Sequence, residues 1–150
     1  MTVATPLDAT APPPKRVGIV RSFLCDEGFR NATYKGQEGY EVQVRLTSYR
    51  SLPLSCVEGL TLKVDGQEVS AENITFIMNG YSHSISELPQ LSSIWWFILD
   101  TATLFVAHEG GLSAGVHEVE GTLITVEPYI TAGRFSFYNS AKKSLQLEQE

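Results

Sequence analysis

Residues 40–69, YEVQVRLTSYRSLPLSCVEGLTLKVDGQEV, decide the fold class. Tyr40, Val42, Val44 and Leu46 alternate with Glu41, Gln43, Arg45 and Thr47, so a strand here has one apolar and one wetted face. Leu60, Leu62 and Val64 resume the same period. Asp65-Gly66 then supplies the pair that a two-residue hairpin turn requires. Between them lies Ser48-Tyr49-Arg50-Ser51-Leu52-Pro53-Leu54-Ser55-Cys56, a connector with aromatic, cationic and aliphatic residues where small polar ones are expected. Two readings stay open. Either Leu52 and Leu54 plug the open end of their own domain, or a partner covers the loop.

The period of two extends in both directions. Strands are expected at 17–21, 28–33 and 40–47, then at 60–64 and 67–70 around Asp65-Gly66, and at 73–78 and 81–86 around Asn79-Gly80. Residues 87–91, ELPQL, break the pattern and suit one short helical turn. Residues 94–99, IWWFIL, are apolar on both faces, as in a strand buried on both sides. Strands at 101–107 and 116–129 flank the turn region 110–115, and the apolar parity of the longer one shifts near Gly121, which predicts a bulge there. A last strand is expected near 135–138, with a polar end that frays from Ser140. No segment holds a helical period over three turns. The expected fold is therefore all-β: an antiparallel sandwich or barrel-like domain over 17–147, behind a disordered tail at 1–16 that contains Pro12-Pro13-Pro14.

Composition narrows the function. A net charge of -6 over 150 residues argues against a nucleic-acid or anionic-membrane surface. No apolar run approaches the roughly 20 residues of a spanning helix. Residues 1–16 lack the apolar core of a secretory leader, so a cytoplasmic chain with Cys25 and Cys56 as thiols is expected rather than one disulfide. Cys56, beside Leu54 and Val57, reads as a small core residue.

The chain is poor in catalytic patterns. His83, His108 and His117 are the metal-ligand candidates, with Glu109 or Glu118 as an added carboxylate, but their spacing matches no metal motif. His108 and His117 approach each other only if the strands around 110–115 pair; otherwise solvent-facing strand histidines are expected. There is no G-x-S-x-G elbow, phosphate loop or dinucleotide fingerprint. Glu118 and Glu120 share one strand face, which is the usual pattern of solvated acids. Trp95 and Phe97 share one face and Trp96 takes the other. At least one face must cover something apolar, so core is expected ahead of a stacking platform, and Trp96 on an outer face would mark a protein interface.

Three motifs carry a resemblance. They are R-L-x-x-Y-R-S-L-P-L-S-C at 45–56, L-x-L-K-V-D-G at 60–66 and G-G-L-S-A-G-x-H at 110–117. Together, over roughly 28–147, the chain resembles the small beta subunit of bacterial C-glycoside deglycosidases. The first motif is specific in combination; the other two alone are weak.

The resemblance implies a β-sandwich packed on a TIM-barrel alpha subunit, as a heterodimer or higher αβ oligomer. It implies a divalent metal, typically manganese, in that alpha subunit and none bound by this chain. The implied substrates are aromatic 3-oxo-C-glycosides, flavonoid C-glucosides among them. A C–C glycosidic bond offers no basic leaving oxygen, whereas a ketone at sugar C3 acidifies the C2 hydrogen for elimination with Lewis-acid help at the enolate. No catalytic residue is carried onto this chain. Tyr49, Arg50, Leu52, Pro53 and Trp96 are the candidates for the subunit contact or the substrate entrance, with Arg50 donating to a partner carboxylate. The alternatives are a stand-alone carbohydrate- or aromatic-binding module using Trp95, Trp96 or Tyr81, and a metal enzyme using the three histidines.

Overall fold

The alternation at Tyr40–Leu46 becomes a central strand of a β-sandwich, seen in a computed structural model that describes residues 22–47, 51–126 and 136–149. The strands are β1 (Arg30–Tyr34), β2 (Gln37–Arg45), β3 (Leu52–Pro53), β4 (Val57–Val64), β5 (Gln67–Glu68), β6 (Ile74–Met78), β7 (Tyr81–Ser84), β8 (Trp95–Trp96), β9 (Thr101–Ala107), β10 (Val116–Val126) and β11 (Ser136–Gln146). One sheet runs β1-β2-β9-β6-β7, a second runs β11-β10-β4-β5, and β3-β8 is a short ribbon. The strand pairs are antiparallel. The expected tail, the strand at 17–21 and residues 127–129 of the long strand lie outside the described residues.

The buried positions follow the period of two. Val42 and Val44 of β2, Leu104 and Val106 of β9, and Phe76 of β6 face Leu60 and Leu62 of β4 and Val119 and Leu123 of β10 in one core cluster. Asp65 and Asn79 adopt φ values of 51° and 54°, each followed by a positive-φ glycine, as the two hairpins demand. Gly39 is fixed by close approach: a Cβ there would lie 1.9 Å from the Val106 carbonyl oxygen of the neighbouring strand. The helical turn after β7 is a 3-10 segment, Ile85–Gln90, opened by a capping box in which the Ser84 backbone N–H donates to Glu87 Oε1 at 2.6 Å.

Three expectations need correction. The ladder irregularity lies between Ile124 and Thr125, where the partner strand skips from Gly59 to Val57. Gly121 instead stays in register opposite Leu62, and it is a glycine because the Phe23 ring fills the space a side chain would need: a Cβ there would sit 2.9 Å from it. The C-terminal end does not fray at Ser140, since β11 pairs with β10 from Ser136 through Gln146. Its polar character is that of an edge strand, tied down by Lys142 to Glu118 at 3.5 Å and Lys143 to Asp26 at 2.5 Å. Residues 94–99 do not form a strand buried on both sides. Only Trp95–Trp96 is extended in a ladder, and Trp95, Phe97 and Leu99 face solvent.

Candidate functional site

The ribbon β3-β8 makes the described part of the connector, residues 51–56, into a platform. Leu52 pairs with Trp96 and Pro53 with Trp95. Trp96 is 0 % exposed, meets the Phe76 ring edge-on at 5.2 Å between centroids, and donates its indole N–H to the Asp100 carbonyl at 3.0 Å. The apolar ring is thus in the core with its polar edge satisfied. Further ties run from the Ile98 N–H to Ser51 Oγ at 2.8 Å, from the Leu54 N–H to the Ile94 carbonyl at 2.8 Å, and from the Ser55 N–H to the Leu91 carbonyl at 3.0 Å. Leu52 and Leu54 are buried beside Trp96 in the same cluster, which is the self-plugging arrangement.

Alternation then forces the neighbours of Trp96 outward. Trp95, Phe97 and Leu99 are 47 %, 54 % and 85 % exposed, and no charged residue occurs from Leu91 to Leu99. They make an apolar ridge on a rigid base.

Of the residues proposed from the sequence, Leu52 and Trp96 support this ridge from beneath and present no surface of their own. Their side chains point inward because the Leu52↔Trp96 pair faces Phe76. Pro53 is half-buried at the ridge's edge. Tyr49 and Arg50 lie outside the described residues. The ridge residues were missed as a group, although the Trp95/Phe97 parity held the signal.

A second feature joins the other two motifs. His117 Nδ1 lies 2.6 Å from Asp65 Oδ2, and Nε2 lies 2.7 Å from the Ser113 carbonyl oxygen. A carbonyl only accepts and an ionised carboxylate only accepts, so the two bonds form together when both ring nitrogens carry a proton, and the site favours the imidazolium form. The hydrogen bond to Asp65 raises the His117 pKa, reinforced by the Ser113 carbonyl and opposed by burial. The same bond lowers the Asp65 pKa, helped by the Glu118 backbone N–H at 2.9 Å. The node pins the 110–115 turn to the β4-β5 hairpin. His117 is therefore buried and partnered, not a solvent-facing strand histidine.

His108 and His117 do not meet. β9 and β10 lie in different sheets, and the rings run His117, Phe29, Tyr40, His108 with centroid separations of 5.9, 6.2 and 6.0 Å. A cleft of about 450 Å³ beside the node is lined by Tyr40, Asp65, Asn73, His108 and Leu112. Burial, and secondarily the Asp65 charge, push the Tyr40 hydroxyl up to about 12, so it stays protonated and is no base at neutral pH. His83 sits 3.8 Å from Glu87. Among the described residues, no three His, Cys, Asp or Glu side chains converge on a point that suits a metal ion. Cys25 and Cys56 are both buried thiols. No helix among the described residues is long and apolar enough to cross a membrane.

The model of the family described as C-glycoside deglycosidase beta subunit matches residues 19–129. The chain belongs to this family. Its relatives agree. A C-glycoside deglycosidase beta subunit of Arthrobacter globiformis is 37% identical over 109 residues, 72% of this chain and 83% of the relative. The 3'-dehydrocarminate deglycosidase beta subunit of a Microbacterium species is 34% identical over 137 residues, 90% of this chain and 96% of the relative. A third beta subunit, from Microbacterium trichothecenolyticum, is 39% identical over 92 residues, 59% of this chain and 67% of the relative. Membership in a beta-subunit family implies a partner subunit, and the matched region contains both the ridge and the His117 node.

Proposed function

We propose that this chain is the non-catalytic beta subunit of a heteromeric C–C lyase that releases aromatic aglycones from 3-oxo-C-glycosides. The observation that carries the reading is the family match over residues 19–129. The Microbacterium relative is named for a 3'-dehydro substrate, which supports the same oxidation state here.

The chemistry favours elimination. A ketone at sugar C3 acidifies the C2 hydrogen, and a base removes it. The C1=C2 double bond forms as the C1–aryl bond breaks, and the proton ends on the released aryl carbon. No water is consumed.

The base, and a divalent metal expected to be manganese, belong to a TIM-barrel alpha subunit. This chain's part is to bind and shape that partner. Tyr49 and Arg50 border the contact, with Arg50 donating two hydrogen bonds to a partner carboxylate. The complex works in the cytoplasm.

The test is substrate oxidation state. The purified complex receives a flavonoid C-glucoside and its 3-oxo form. Aglycone release from the 3-oxo form alone, with an unsaturated keto sugar as co-product, is expected. Release of glucose from the unoxidised glycoside contradicts the proposal.

A further inference from the structure

We infer that the Trp95–Phe97–Leu99 ridge is the docking surface for the catalytic partner subunit, which must offer it an apolar recess. The inference rests on the subunit role proposed above and names the face through which it is exercised.

Four observations carry it. The ridge concentrates three large exposed apolar residues within five positions. The other large apolar residues exposed among the described ones, Tyr81, Val116 and Tyr138, lie on three separate strands. Scattered apolar residues are ordinary surface, whereas a cluster with aromatic anchors and no charge has the composition of an interface core.

The ridge is also preorganised. Trp96 locks it from below through Phe76 and the Asp100 carbonyl, Ser51 holds the Ile98 N–H, and the Asp100 N–H closes a turn onto the Phe97 carbonyl at 2.9 Å. An anchor already fixed in place loses little conformational entropy on binding.

The third observation is what the connector motif does. Its described part, Ser51 to Ser55, supplies the scaffold under the ridge through the Leu52↔Trp96 and Pro53↔Trp95 pairs and the backbone bonds to Leu91 and Ile94. The plug and the partner surface are thus two faces of one ribbon, and the two readings of residues 48–56 do not compete.

The fourth is charge. A second copy of a chain with net charge -6 repels the first, while a different subunit need not. Membership in a beta-subunit family, with a net charge that works against self-association, makes the partner subunit the occupant.

The test uses the full chain and the purified alpha subunit, with affinity read by sedimentation velocity and complex activity read by aglycone release. Trp95→Ser is expected to weaken assembly roughly 30-fold or more, as for an aromatic hot spot. Trp95→Ser combined with Phe97→Ser is expected to abolish co-purification. Tyr138→Ser, at an exposed position off the ridge, leaves affinity unchanged within about threefold. Trp96 emission and the unfolding midpoint report that each variant is folded, and Trp95→Phe, which keeps an aromatic anchor, retains most of the affinity. Ridge variants that assemble as tightly as the wild type overturn the inference while leaving the subunit role intact. A wild-type chain that self-associates through the ridge also overturns it. A wild-type chain that binds no alpha subunit overturns both.

Discussion

His117 Nδ1 and Asp65 Oδ2 stand 2.6 Å apart, 52 residues distant in the chain, and tie the glycine-rich turn to the β4-β5 hairpin. The two signature motifs K-V-D-G and G-G-L-S-A-G-x-H therefore meet in one contact. Their shared role is structural: an imidazole ring clamped between a carboxylate and a carbonyl.

That contact makes stability depend on pH with a definite sign. The folded state holds the His117 pKa above its ordinary 6.5, so its stabilisation is full below that value and fades as pH rises through the raised one. Asp65 is held below its ordinary 3.8, so its contribution is present above 3.8 and is lost as pH falls through the lowered value. Unfolding midpoints measured across pH are expected to be highest between these limits. Asp65→Asn keeps a turn-competent residue but removes the charge. It is expected to lower the His117 pKa, read by NMR titration, and to flatten the loss of stability above neutrality.

His117→Ala removes the imidazole donor from Asp65 Oδ2 and from the Ser113 carbonyl, while the Glu118 N–H still donates to Asp65 Oδ1. The expected cost is about 1–3 kcal/mol in denaturant unfolding. Hydrogen exchange should then quicken in the turn before β10 more than in β2 or β9.

Gly39 admits no side chain, because a Cβ would press on the Val106 carbonyl of the paired strand. Gly39→Ala is expected to destabilise by about 1–3 kcal/mol, the usual range for overpacking, through a lower denaturant midpoint.

The two tryptophans separate stability from surface. Trp96→Ala opens the core against Phe76 and is expected to cost about 3–5 kcal/mol. Trp95→Ala is expected to change the unfolding midpoint by no more than about 0.5 kcal/mol, since its ring is half in solvent. A large loss at Trp95 in the isolated chain contradicts its placement.

Arg50 offers a different probe of assembly. Arg50→Ala and Arg50→Lys are both expected to weaken binding of the alpha subunit, because an ammonium cannot reproduce a bidentate fork. Full rescue by Lys contradicts the proposed carboxylate contact.

Much of the architecture was legible where local chemistry acts alone. Asp65-Gly66 and Asn79-Gly80 announced their hairpins because few other pairs tolerate their φ values. Residues 87–91 read as one helical turn, although the turn starts at Ile85 behind a Ser84–Glu87 capping box that the strand expected at 81–86 passed over. What escaped depended on non-local partners. The Trp95/Trp96/Phe97 parity was readable, but which side faced inward is set by the Leu52↔Trp96 pair, formed 44 positions apart and invisible to a local window. β11 looked like a frayed end because an edge strand needs only a thin apolar face, and Leu145 is its one fully buried residue. The His117 contact was missed for the same reason as the ridge. Both halves of it stood in quoted motifs, yet nothing local says that the hairpin's aspartate and the strand's histidine share a corner.

The central claim is that this chain is an obligatory but non-catalytic subunit. Titrating it into a fixed amount of the alpha subunit, with aglycone release from a 3-oxo-C-glycoside as the readout, tests that directly. The expected curve starts near zero, rises with added chain and saturates at a fixed molar ratio, while the chain alone releases nothing. Full activity of the alpha subunit without this chain, or release by this chain alone, contradicts the account.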